Sequence, residues 1–202
     1  MHFFQQSMSP EDYTDENICQ VMGLPGFELA EESTGIRMLC KPSFHPEVCL
    51  TASPSELQVV ALQSQFWREG RFCRLSRTME TVSLASEEFK ALVGQFQQAY
   101  TKKPERIGML DGMPISILYQ EGPQRFSIGG HPMTDVTDSF TAQLLELAHS
   151  RVTNRVVRNA LAECGRYVNL FLAYEPEPQQ PLTHLLILGT PEEREELLKA
   201  LP

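Results

Sequence analysis

Cysteine is scarce and poorly spaced in this chain: Cys19, Cys40, Cys49, Cys73 and Cys164 make an odd set of five with no Cys-x-x-Cys pair. That spacing excludes a zinc ribbon or a thioredoxin-type motif, argues against a disulfide framework, and fits a reducing compartment. The start Met1-His2-Phe3-Phe4-Gln5-Gln6 has neither the basic residues nor the long apolar core of a secretion signal, so the cytoplasm is the expected location. No apolar run approaches the roughly 18 residues that span a bilayer, and no membrane role is expected. Positive charge is also in deficit. The chain has 17 Lys and Arg against 26 Asp and Glu, a net charge of −9 with a pI near 5.1, which disfavours the phosphate neutralisation that nucleic-acid binding requires. Gly-x-Gly-x-x-Gly and Gly-x4-Gly-Lys-Ser/Thr loops are absent, as is a Gly-x-Ser-x-Gly elbow. No nucleotide, no other cofactor and no serine nucleophile is therefore implied.

What is present supports one core. A length of 202 residues with 42% hydrophobic content suits a single domain spanning 1–202. The charge is uneven along it. Up to residue 65 there are two basic residues, Arg37 and Lys41, against nine acids: Glu11, Asp12, Asp15, Glu16, Glu28, Glu31, Glu32, Glu47 and Glu56. The N-terminal third is thus the acidic one, and it would suit a basic partner.

The clearest local signal is a hairpin. Asp111-Gly112 opens it, Glu121-Gly122-Pro123 turns it and Gly129-Gly130-His131-Pro132 closes it, with β-favouring runs between. Upstream, Ser9-Pro10-Glu11-Asp12 reads as a helix opening and Gly23-Leu24-Pro25-Gly26 as its end, giving an N-terminal helix over 9–22. Phe27–Glu31, Ile36–Lys41 and Glu47–Thr51 read as a strand meander. The run from Ser53 to Trp67 fits both helical and strand periods and is read as a strand, with another around Thr81–Leu84. Ser86-Glu87-Glu88 opens an amphipathic helix whose stripe is Phe89, Leu92, Val93, Phe96 and Tyr100. Phe140–His149 is helical, with Asp138 or Ser139 as its cap. Val152–Phe171 is helical too, with Val152, Val156, Ala160, Cys164, Tyr167 and Phe171 on one face and Arg151, Arg155, Arg158 and Arg166 on the other. Gly165 breaks it near its end. A proline-rich link over 175–181 leads to an apolar strand and a capped helix over 183–201. Strands and helices without regular alternation, and without internal repeats, predict an α+β fold: a mostly antiparallel sheet packed with amphipathic helices.

Several groupings could carry chemistry. Cys40, His45 and Cys49 have metal-binding side chains, but Cys-x4-His-x3-Cys supplies only three ligands across a proline-bounded turn, so no metal is expected and the cysteines read as core residues on adjacent strands. His131 at the mouth of the hairpin could act as an acid or base oriented by Asp111 or Glu121; without a nucleophile it reads as a turn residue. Arg68, Arg71, Arg74 and Arg77 recur every three residues and could clamp a phosphate or activate Cys73, yet loop arginines that neutralise acids are the commoner case. The arginine face around Arg155 has the same two readings.

Thr34-Gly35-Ile36-Arg37 and Pro42-Ser43-Phe44-His45-Pro46-Glu47, followed by an Asp-Gly hairpin, a leucine-rich helix and a terminal strand-helix, resemble small bacterial proteins of the toxin-immunity type. The resemblance covers the order of elements over residues 27–150. It implies a compact, acidic, non-enzymatic protein that occludes a protein partner, plausibly a basic toxin. Glu28, Glu31 and Glu32 of the acidic third are the expected binding residues. Two further readings stand beside this one: an adaptor or chaperone for a secreted protein, and a small hydrolase or transferase using His131 with Asp111 or Glu121. No particular oligomeric state is indicated.

Overall fold

The computed structural model describes residues 13–66, 76–102, 112–130 and 135–176. Among these residues are a six-stranded, wholly antiparallel sheet and four helices, an α+β fold. The strands are β1 (Thr34–Cys40), β2 (Val48–Ala52), β3 (Glu56–Leu62), β4 (Arg77–Ser83), β5 (Ile115–Glu121) and β6 (Gln124–Gly130), in spatial order β4-β3-β2-β1-β5-β6. The helices are α1 (Asp15–Val21), α2 (Ser86–Thr101), α3 (Asp135–Arg151) and α4 (Arg155–Arg166).

Strands β1 to β3 are buried on successive residues, the pattern of strands covered on both faces. The register shows how the faces divide. Ile36 lies opposite Ala52 and Tyr119, and Met38 opposite Leu50 and Ile117, so these residues share a face with the apolar sides of α2, α3 and α4. The intervening residues Leu39, Cys49, Val60 and Leu62 point the other way and pack with Ile18 and Cys19 of α1, with Met22 just past its end and with Phe66. β4 and β6 are the edges, and there the burial alternates or fades. In the hairpin, Gly122 has φ +56 at the first turn position and proline fixes a negative φ at the second, the sign pattern of a type II′ turn, which only glycine accommodates cheaply.

In α2, Phe89, Leu92, Phe96 and Ala99 are buried, with Val93 and Tyr100 partly covered at the margin. Phe96 is the hub of an aromatic cluster, with ring centroids 5.6 Å from Tyr119, 6.0 Å from Phe140 and 6.0 Å from Tyr100. The start of α4 is fixed from the sheet. Glu80 on β4 accepts from the backbone N–H of Thr153 (2.9 Å) and Asn154 (2.8 Å) and from the Thr153 hydroxyl (2.9 Å). Partial burial pushes the Glu80 carboxyl up, but these donors outweigh it and hold the group below the ordinary carboxylate range.

Several boundaries differ from the sequence reading; the strand read around Thr81–Leu84, for one, runs from Arg77 to Ser83. Residues 27–31 are not a strand; their carbonyls bond to side chains, as described below, rather than to a neighbouring strand. Thr14 is extended (φ −104, ψ 154) and caps Asn17 N at 3.1 Å, so α1 begins at Asp15, and Ser9 to Asp12 lie outside the described residues. α3 starts at Asp135, ahead of the Asp138 or Ser139 cap read from sequence. α4 starts at Arg155, because the Asn154 side chain accepts from Val156 N and Val157 N. Its buried face is consequently Val157, Leu161 and Cys164, whereas Phe171, past the helix end, is 86% exposed. Gly165 does sit at the terminus: a Cβ there would lie 2.7 Å from the Leu170 carbonyl, where the chain folds back. The strand-helix over 183–201 lies outside the described residues.

Replacing Phe96 with alanine removes the centre of the aromatic cluster and should lower stability by about 3–5 kcal/mol in a denaturant titration. A loss below about 1 kcal/mol would mean that α2 does not pack as described.

Candidate functional site

The acidic loop named from the sequence is built on two buried polar side chains. Arg37 of β1 is 5% exposed and points to the α1 side of the sheet. Its Nε donates to Thr51 Oγ1 (3.0 Å), and its Nη1 donates to the carbonyls of Gly26, Phe27 (3.3 Å) and Glu28 (3.3 Å). On the neighbouring strand β5, fully buried Gln120 donates through Nε2 to the carbonyls of Ala30 (2.7 Å) and Glu31 (3.4 Å). From the other side, Glu16 of α1 accepts from Phe27 N at 3.0 Å. A buried guanidinium is costly unless its donors are satisfied, and charge-assisted bonds to neutral acceptors are worth about 1.5–3 kcal/mol each. The loop supplies those acceptors. Five of the six carbonyls from Gly26 to Glu31 thus accept from buried side chains, and the side chains of Glu28, Glu31 and Glu32 are left exposed.

Glu28 reaches Arg125 of β6 at 2.9 Å, while no ion pair involves Glu31 or Glu32 among the described residues. Glu121 belongs to the same end of the sheet. It ends β5 opposite Thr34, and the next residue, Gly122, donates its N–H to the Ser33 carbonyl at 3.2 Å. Its carboxylate accepts from Tyr119 OH at 2.9 Å, and burial together with Glu121 pushes the Tyr119 phenol up to about 12.

His131 and Asp111 lie outside the described residues. Their chain neighbours Gly130 and Gly112 are at the Ile115 end of the hairpin, since Gly130 pairs with Ile115 and Gly112 bonds to Ser43. Glu121 is at the other end, roughly 20 Å away along six residues of strand. Glu121 therefore lies at the acidic-loop end of β5, away from the neighbours of His131, but its side chain shares the face of Tyr119, opposite to that of Gln120 and the loop. Of the arginine series, Arg68, Arg71 and Arg74 lie outside the described residues, and Arg77 is exposed at the start of β4. On the later helices Arg151 pairs with Glu88, Arg158 with Glu175 (2.8 Å) and Arg166 with Glu163 (3.0 Å), as a solvated face would.

A second polar cluster was invisible to sequence reasoning. Cys40 and Cys49 are both buried but on opposite faces of the sheet, so they cannot share an ion with His45. His45 turns instead to α4. Its Nδ1 is 3.0 Å from Tyr167 OH, which also accepts from Phe44 N at 3.3 Å, and its Nε2 is 3.1 Å from Glu163 Oε2. Imidazole, carboxylate and phenol are the parts of a proton relay, but Ser43, the hydroxyl of the same loop, is committed to Gly112 both as donor (2.9 Å) and as acceptor (3.0 Å). The cluster works as a clasp between the loop over 41–47 and the end of α4. Gln65 closes the loop from the other side by donating to the carbonyls of Ser43 and His45, each at 3.1 Å. At its base, fully buried Glu47 accepts from Tyr13 OH (2.9 Å) and Phe66 N (3.0 Å). Among the described residues no group of three or more His, Cys, Asp or Glu could hold a metal ion.

No family model matches the chain, and no curated protein or solved structure matches it.

Burial pushes the Glu47 carboxyl above its ordinary value of 4.5, although the Phe66 and Tyr13 donors oppose this. The folded state thus binds the extra proton more tightly, and stability should fall as pH rises from about 4.5 through the folded value. Glu47→Gln lacks that slope. In urea titrations between pH 4 and pH 8, the difference between variant and parent should move in the variant's favour as pH rises; a flat or opposite trend would refute the buried acid.

Proposed function

We propose that this is a non-catalytic binding protein that recognises a basic protein partner through the loop bearing Glu28, Glu31 and Glu32. The supporting observation is the pinning of that loop by Arg37 and Gln120 through its main chain, which presents three carboxylates on a fixed frame. Such a frame lowers the ordering cost of association, and fixed charges of one sign steer an oppositely charged partner. Glu31 and Glu32 carry the largest share, because Glu28 is already offset by Arg125. The finer reading, neutralisation of a toxin in the producing cell, rests on the resemblance in element order and on the acidic surface.

The partner can be sought by co-purification from the native host with mass spectrometry, followed by stopped-flow association with the retained protein. Reversing Glu31 and Glu32 to lysine should slow association far more than it speeds dissociation, and the effect should shrink as salt rises above 0.1 M, where the Debye length is about 10 Å. Thermal stability should change by no more than about 1 kcal/mol per site. An association rate unchanged at low salt would sink the acidic interface.

A further inference from the structure

The acidic loop lies beside a sheet edge that no other described strand pairs with. β6 is an outer strand, in unbroken register with β5 over all seven of its residues. The direction of its main chain follows from two bonds on the far side of β5. Lys41 N donates to the Pro114 carbonyl at 2.9 Å and Gly122 N to the Ser33 carbonyl at 3.2 Å, so the even-numbered residues of β5 turn their main chain to β1. The odd-numbered residues then bond to β6, and the main chain of Phe126 and Ile128 faces inward. Arg125, Ser127 and Gly129 are left with three N–H and three C=O groups aimed away from the sheet, and all three residues are exposed. Sheet edges are commonly blunted by lysine, proline or a bulge, and β6 has none of these. Opposed residues share a face, so the side chains of Arg125 and Ser127 lie on the face of Gln120 and the acidic loop, where Arg125 meets Glu28 at 2.9 Å. Gly129 leaves room there: a Cβ would meet only the Ile115 carbonyl, at 4.0 Å. The other face carries Phe126, half-buried, with its ring centroid 5.6 Å from that of Tyr100.

Resting on the acidic loop as the recognition surface, we propose that the basic partner binds by adding an extended segment to β6, one in which lysine or arginine alternates with apolar residues. An added strand lies about 4.8 Å beyond β6 and takes up its outward N–H and C=O groups. Its residues opposite Arg125, Ser127 and Gly129 project onto the face covered by the loop of Glu28, Glu31 and Glu32, where positive side chains are attracted. Arg125 does not oppose them, because Glu28 offsets its charge. The intervening residues meet Phe126 and Tyr100 and are therefore apolar. Charge decides against the other occupants of an open edge. A second copy paired through β6 would bring two acidic loops onto one face of one sheet, in chains that each carry a net charge of −9. The opposite edge, β4, is remote from the loop and carries Arg77 on the corresponding face, which repels a basic strand.

The probe is an acetylated, amidated peptide of about nine residues alternating lysine and valine, added to the isotope-labelled full chain at low salt while amide hydrogen exchange is followed by NMR. The amides of Arg125, Ser127 and Gly129 should exchange about tenfold or more slowly, whereas those of Phe126 and Ile128, already bonded to β5, change little. A glutamate–valine peptide at the same concentration should protect them about tenfold less. Ser127→Pro removes an outward N–H and spares the bonds to β5, and it should weaken binding of the lysine peptide about tenfold or more. Unchanged exchange at about 1 mM peptide, equal protection by the two peptides, or protection of Met79 and Thr81 on β4 instead each overturns the proposal. So does protection that rises with protein concentration in the absence of peptide, the behaviour of a second copy. If reversal of Glu31 and Glu32 slows association of the co-purified partner while the β6 amides stay unprotected, the acidic loop stands and the edge falls; if neither effect is seen, both fall. The exchange map of the unsubstituted chain decides the matter even where Ser127→Pro does not fold.

Discussion

The central strands of this sheet are apolar on both faces, and that constraint governs the rest of the architecture. β1, β2 and β3 together leave almost no residue accessible, so each face needs a cover. Three helices cover one face with a continuous core. Among the described residues the other receives the seven-residue α1, and irregular chain bearing Leu24 and Phe27 also packs there. Irregular chain brings unpaired carbonyls to a buried surface, where each would cost about 1–3 kcal/mol if left unbonded. Arg37 and Gln120 answer that demand from within the sheet itself.

The polar interior is therefore concentrated in two knots with opposite electrostatic character. Around Arg37 a cation is satisfied by neutral carbonyls and a threonine, and the loop that carries those carbonyls gains its shape in return. Around Glu47 an acid is satisfied by a phenol and an amide N–H, and burial wins over both donors, so the carboxyl is driven up rather than down. The contrast with Glu80 is instructive. That residue has three donors from one helix start and is only half-buried, so there the hydrogen bonds win and the carboxyl is driven down. Solvent access, more than the number of donors, separates the two acids.

The elements whose information is local were readable from sequence. Gly122-Pro123 sets the hairpin turn through backbone geometry alone, and the spacing of Phe89, Leu92 and Phe96 sets the buried stripe of α2. The errors arose where distant side chains intervene. Phe27–Glu31 has strand-like composition, but its carbonyls are claimed by a guanidinium about ten residues on and by an amide 90 residues on. His45, Glu163 and Tyr167 meet across a separation of 122 residues, and no local pattern links them. The rotated face of α4 is a different failure. Asn154 is a good capping residue, and starting the helix after it, rather than at Val152, would have placed Val157, Leu161 and Cys164 inward. The acidic character of residues 28–32 was legible, but the means by which the loop is held was not.

That means of holding has a consequence for how the surface works. Glu28 is bound to the protein twice, through its carbonyl to Arg37 below and through its carboxylate to Arg125 beside it. Only the second contact depends on the side chain. For Glu31 the inward contact is likewise a carbonyl, to Gln120, and Glu32 adds no inward contact among the described residues. Main-chain anchoring thus fixes the shape of the loop, while the side chains fix only its charge. Exposed carboxylates of like sign contribute little to stability and repel one another weakly, so folding gives no reason for placing them together. The charge can be changed residue by residue without moving the frame, so surface charge and fold can be altered independently at this end of the sheet.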